Sequence, residues 1–351
     1  SEGLLIDGST IAGNLSAGAA GGVRMHNSSG SSAAPRNVLI RDSNFLSNQA
    51  ETQGGAVFAD AGFNLAIENS SVTENRAITS HGGGIYLDGS AATITGSQFT
   101  ANQATAGSGG GVFSQNSGSL DITSSTVAEN VALVGAGIYK VLTGDDFLHI
   151  SGSSILANRA EHASLATSAA GIYLDGGSAA GNSREFTLTN STVANNQSRA
   201  TSDASTADNT VGAITLNNIA LATITNSTIS SNSADDFDGA IRVANSGTVT
   251  LVNTTITANE SRGAGWGAVH NINSTIVAHN TIIADNLSTD PSGDVLLSHL
   301  DAASSHNLFG ESVGDVGVLT GAGNSKLQPG QRLGLSESGA DGGGTWAHVR
   351  L

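Results

Sequence analysis

Apolar residues in this chain come in short bursts that alternate with polar ones and break off at Gly, Ser or Asn. Thr93-Ile94-Thr95, Asp121-Ile122-Thr123, Thr187-Leu188-Thr189 and Thr223-Ile224-Thr225 each set one apolar side chain between two polar ones. A period of two marks a strand with one face inward, so Ile67, Ile94, Ile122, Ile150, Leu188, Ile224 and Leu251 are expected inside. Their Thr, Asp and His neighbours are expected outside. A second burst follows glycines: Gly-Gly-Ala-Val-Phe at 54–58, Gly-Gly-Ile-Tyr-Leu at 83–87 and Gly-Gly-Val-Phe-Ser at 110–114. It recurs as Gly-Ile-Tyr at 137–139 and 171–173. A third burst reads Ser or Thr, an apolar residue, two further residues, then Asn, as in Phe45 to Asn48, Val72 to Asn75 and Phe99 to Asn102.

The Asn sets the period. Asn14, Asn48, Asn75, Asn102, Asn130, Asn158, Asn195, Asn232, Asn259 and Asn286 are separated by 34, 27, 27, 28, 28, 37, 37, 27 and 27 residues. A base period near 27 with occasional additions of about ten describes a fixed unit carrying loops. Gly, Ser, Thr, Asn and β-branched residues dominate the unit, which argues against helical repeats of similar length. Three short strands joined by turns account for one unit. No unit buries its apolar side alone, so successive units must stack like on like. The expected fold is all-β: a right-handed parallel β-helix of about ten coils, roughly 45 to 50 Å long at strand spacing. The repeated Asn falls where the third strand ends. Stacked there, its amide can bond the Asn above and below and the turn backbone. Asn48, Asn75, Asn102, Asn130, Asn158, Asn195, Asn232 and Asn259 are therefore expected to form an internal ladder.

Residues 1–289 read as regular coils and 290–351 as less regular coils, a cap or an anchor junction, where Gly, Ser and Asp become frequent. Additions to the period fall at about 27–35, 161–170, 177–184 and 197–210, and read as surface loops. Those after Asn158 and Asn195 follow the same turn on successive coils. A lateral ridge of Glu161, His162, Arg199, Asp203 and Asp208 is the candidate ligand-binding surface.

Composition narrows the partners. Against 29 Asp and Glu there are only 13 Lys and Arg, for a formal charge of −16. Lys occurs only at Lys140 and Lys326. No basic patch exists for nucleic acid or an anionic membrane surface. There is no Cys, so thiolate chemistry is excluded, and no apolar run approaches a membrane span. Ser1-Glu2-Gly3-Leu4 lacks a leader pattern and reads as a processed or trimmed start. The natural chain is expected to continue past Leu351.

Gly-Gly-Ala-Val at 54–57 together with Phe45 to Asn48 and Phe99 to Asn102 resembles the repeat signature of polymorphic outer-membrane proteins. Those are autotransporter-type bacterial adhesins with β-helical passengers. The tail, from Asn307-Leu308-Phe309-Gly310 to Gly342-Gly343-Gly344-Thr345-Trp346-Ala347-His348, is similar to β-helix proteins grouped by their C-terminal anchor. Gly344 stands where that group usually has Pro, and Ala347 where it has a second Thr. The resemblance implies an extracellular or cell-surface location, with cell-surface glycans, a host surface or further copies of the chain as partners.

Catalysis needs convergent charge. Lys140, Asp145, Asp146, His149, Arg159 and His162 form the densest mixed set, and a lyase would use Lys140, His149 or Arg159 as its base beside a carboxylate. Their spacing spreads them over different turns, so they are not expected to converge. Asp235, Asp236 and Asp238 are the densest acidic run. It reads as an exposed turn, with a calcium site as the alternative and no other cofactor expected. The recurring Phe58, Tyr86, Phe113, Tyr139 and Tyr173 make either a structural stack or a surface for sugar rings. A structural or adhesive, non-catalytic module is the favoured reading. A carbohydrate-active enzyme or carbohydrate-binding module on the same fold is the alternative.

Overall fold

The computed structural model describes residues 3–27, 34–116, 118–162, 168–177, 184–200, 210–263, 265–289, 300–310, 323–327, 331–333 and 345–347. Within them the chain winds through parallel sheets in which every strand pairs with its equivalent one coil away. Sheet A runs from Leu4–Asp7 to Thr275–His279 and holds ten strands. Sheet B, from Thr10–Ala12 to Ser325–Lys326, holds twelve, and sheet D, from Val23–Met25 to Val269–Ile272, holds nine. These are the three expected bursts. A further strand follows each ladder Asn, two residues long as at Gln49–Ala50 and Arg76–Ala77 and four at Arg159–His162 and Gln197–Ala200, and builds a ten-stranded sheet C. It is too short to show a period in sequence.

Register is residue on residue. Ile40, Ile67, Ile94, Ile122, Ile150, Leu188, Ile224 and Leu251 align in sheet A, and each is at most 1% exposed. With the inward columns of sheets B and D they form one continuous core. The interior is narrow enough that Ile, Val and Leu fill it, which explains the few aromatics. A one-residue slip would turn every such column outward, so burial itself holds the register.

Two corners carry polar ladders. Along the first, each Asn side chain donates to the Oδ1 of the next, from Asn48–Asn75 at 2.9 Å to Asn259–Asn286 at 2.8 Å. The same Oδ1 accepts the backbone N–H of its predecessor, as Asn130 Oδ1 does from Asn102 N at 2.9 Å. The second Nδ2 hydrogen reaches a carbonyl one coil back: Asn102 to Val72 and Asn130 to Phe99. Buried amide and turn backbone thus satisfy each other along the rod.

One position departs from expectation. The ladder member between Asn158 and Asn232 is Asn196, not Asn195: Asn158 donates to Asn196 at 2.9 Å, and Asn196 to Asn232 at 2.9 Å. Asn195 is exposed and takes φ 57°, the left-handed turn residue that precedes the ladder. Ser47, Glu74, Ala101, Glu129 and Ala157 do the same in their own coils. Asn tolerates that conformation well, so two adjacent Asn were available, and the count of three from the apolar Val193 selects the second.

The other corner, between sheets A and B, has a Ser ladder that the sequence pattern alone does not mark. Ser43, Ser70, Ser97, Ser125, Ser153, Ser191 and Ser227 are buried, each Oγ accepting the backbone N–H of the preceding member. Thr254, Thr281, Asn307 and Asn324 continue it. Beyond residue 289 the stack persists along this corner, where Leu308–Phe309 and Ser325–Lys326 extend sheet B.

The paired glycines allow the segment leading into sheet D to pass close to the next coil. A Cβ on Gly83 would lie 2.4 Å from the Gln103 carbonyl carbon, and one on Gly84 2.5 Å from the Gly111 oxygen. Packed this way, the segment covers the outer face of sheet D. Phe58, Tyr86, Phe113, Tyr139 and Tyr173 stack there with centroids 4.9 to 5.2 Å apart and planes within 10°. Ala19, Ala20, His81, Val134, Ala169 and Val211 enclose the column. Its ring faces are spent on each other, so it is a second, external core.

Candidate binding groove

The outer face of sheet A opens into a groove. Strands of four to six residues give it three outward columns, and side-chain size along them shapes the surface. The middle column runs Leu5, Leu39, Ala66, Thr93, Asp121, His149, and the column beside it Asn37, Asn64, Ala91, Ser119, Phe147. Large residues at each end and Ala, Thr and Ser between them leave a groove of about 710 Å³. Leu5 is 54% exposed at one end. At the other, the Phe147 and His149 rings lie 4.0 Å apart and 14° from parallel, forming a step.

The polar groups of the groove are sparse and partly engaged with each other. Asn64 donates to Asn37 at 3.3 Å, an exposed pair along the wall. His149 Nδ1 sits 3.3 Å from Asp121 Oδ1. Glu68 is the other charged residue of the lining. At the border, Arg41 meets Asp7 at 2.7 Å, and this bond holds the Asp7 carboxyl below its ordinary value.

The three candidate bases separate. Lys140 is fully buried on the inward side of sheet D, in register between Ser114 and Leu174. Its ammonium donates to the Gly118 carbonyl and stands 3.9 Å from Asp146. Burial pushes the amine down to about 8, with Asp146 opposing the shift. His149 lies on the outer face of sheet A, and Arg159 on sheet C, where it pairs with Glu161 at 2.9 Å. Interior, groove and a third face thus each hold one.

Part of the proposed ridge stacks as its spacing implies. Glu161 and His162 pair in register with Arg199 and Ala200. Asp203 and Asp208 lie outside the described residues, as do residues 163–167, 178–183 and 201–209. The acidic run divides. Asp235 faces outward to Arg262 at 3.3 Å, and the Asp236 backbone N–H donates to Thr210 Oγ1. Asp238 is fully buried and accepts a hydrogen bond from the Trp266 backbone N–H at 3.2 Å, with His270 Nδ1 at 3.0 Å and Arg242 at 3.6 Å. Among the described residues no three His, Asp or Glu side chains are grouped to hold a metal ion. Arg242 and His270 follow the aromatic column along sheet D, a placement visible only once the register is known.

Parallel strands stacked coil on coil, closed by polar ladders at two corners, define a β-helix repeat protein with a right-handed solenoid fold. A family model described as a right handed beta helix region matches residues 1–155. No curated protein and no solved structure matches the chain.

Proposed function

We propose that this chain is a non-catalytic structural and adhesive β-solenoid module of a secreted or surface-exposed protein. One observation carries the reading: Lys140, His149 and Arg159 lie on three separate sides of the sheets, whereas the polar side chains that repeat from coil to coil form structural ladders. An acid–base pair must share one substrate, and this arrangement spends its polar order on stiffness. Incubation with a panel of acidic and neutral polysaccharides should release no unsaturated or reducing ends, while the immobilised protein should retain cells. Turnover that disappears in Lys140→Ala or His149→Ala would overturn the proposal in favour of a lyase.

The groove on sheet A favours a second reading, a carbohydrate-binding module. An open trough with an apolar floor and amide walls suits a polymer lying along the rod. The two readings are compatible, since binding without turnover is how a glycan adhesin works.

A further inference from the structure

We infer that the groove on sheet A holds an uncharged glycan strand, extended parallel to the rod axis. This deepens the carbohydrate-binding reading and rests on it. The direction follows from the groove, whose lining runs across sheet A from Leu5 to Phe147 instead of along any one strand. Any strand laid in it crosses one coil about every 4.8 Å, a step close to the length of one pyranose residue, and passes Leu5, Leu39 and Ala66 on successive coils before Thr93 and Asp121. A polymer of rings therefore keeps step with the coils, with its first rings over the aliphatic stretch.

The floor chemistry sets the class. Leu5, Leu39 and Ala66 offer aliphatic surface to the C–H face of a sugar ring. Asn37 and Asn64 beside them offer amide groups to its hydroxyls, and the Phe147–His149 step ends the trough with an aromatic edge. Apolar floor and neutral polar wall together match a ring with an apolar face and a hydroxylated rim.

Charge selects among glycans. The charged residues of the lining are Glu68 and Asp121, and Asp121 already faces His149. Of the guanidiniums on the bordering strand, Arg41 is bonded to Asp7 and Arg36 lies over the Phe63 ring. A uronic-acid polymer would thus lie on a surface of its own sign, in a chain of formal charge −16, since the lining holds two carboxylates and no Lys or Arg. A polycation would find two carboxylates at different coils, one of them paired. An uncharged strand suffers neither penalty.

The test compares retention of the whole chain on uncharged polysaccharides (cellulose, xylan, mannan and β-glucan), on polygalacturonate and on chitosan. Retention on at least one uncharged polymer, insensitive to salt, is expected. Leu39→Asp, and Ala66→Glu as a second filling variant, should weaken it roughly tenfold or more. Thr225→Glu, on the same sheet beyond the groove, should not, and all three must melt like the parent. Retention only on polygalacturonate or only on chitosan overturns the inference, as does undiminished binding by both folded groove variants. Cell adhesion that survives in those variants would leave the adhesive module standing and remove the groove from it.

Discussion

The Asn corner and the inward column of sheet D both place polar side chains in the same dry interior, with opposite outcomes. At the corner, every Asn has a copy of itself one coil away, so each amide finds an acceptor and each turn N–H finds an oxygen. In sheet D the column runs Met25, Ala59, Leu87, Ser114, Lys140, Leu174, Leu216, Val243, Asn271, and its two fully buried polar members, Ser114 and Lys140, occur once each. Ser114 Oγ finds no hydrogen-bond partner among the described residues, and Lys140 relies on one carbonyl and a distant carboxylate. A solenoid satisfies a buried polar group by repeating it. The same group used once is left with what the neighbouring coils happen to offer.

Breaking the ladder should have the largest effect. Asn130→Leu removes the acceptor of the Asn102 backbone and side chain and the donor to the Phe99 carbonyl. A loss of roughly 3 kcal/mol is expected from chemical denaturation, because several buried groups lose partners together. An unchanged midpoint would mean that the corner is hydrated and the ladder carries no weight.

Lys140→Met should do the reverse. It replaces a lone buried ammonium by an apolar chain of similar shape in a column that is otherwise largely aliphatic. A gain on the order of 1 to 2 kcal/mol is expected, reduced by the orphaned Gly118 carbonyl. Destabilisation of that size would show instead that the Lys140–Asp146 pair is a net support.

The same amine gives the parent a pH signature. Its folded value, about 8, lies below the ordinary 10.5, so between these limits the unfolded chain binds more protons and stability rises with pH. Burial pushes the Tyr86 and Tyr139 hydroxyls the other way, from 10.0 up to about 12. Above about pH 10 the unfolded chain loses those protons first, and stability falls. Melting temperature should therefore climb from pH 8 towards 10 and then decline. Lys140→Met should flatten the climb and keep the decline.

The smallest effect separates two adjacent residues. Asn195→Gly retains the left-handed turn and should shift stability by no more than about 0.5 kcal/mol. Asn196→Leu should match Asn130→Leu. Equal effects at both positions would undo the assignment of Asn196 to the ladder.

Strand periodicity, the 27-residue unit and the inward isoleucines were legible in the sequence because identical environments must be filled by similar residues at equal intervals. The ladder was legible for the same reason, except where Asn195 and Asn196 stand together and only the count from Val193 separates a turn residue from a buried amide. The Ser corner was harder to see, since Ser is frequent everywhere in the chain and its buried copies look like its solvated ones. The groove could not be read at all. It exists because Ala66, Ala91 and Ser119, far apart in sequence, fall between Leu39 and Phe147 on one face. Local pattern determines which way a side chain points. Only stacking decides which distant side chains become neighbours, because it converts separations of about one coil in sequence into contacts of one strand spacing in space.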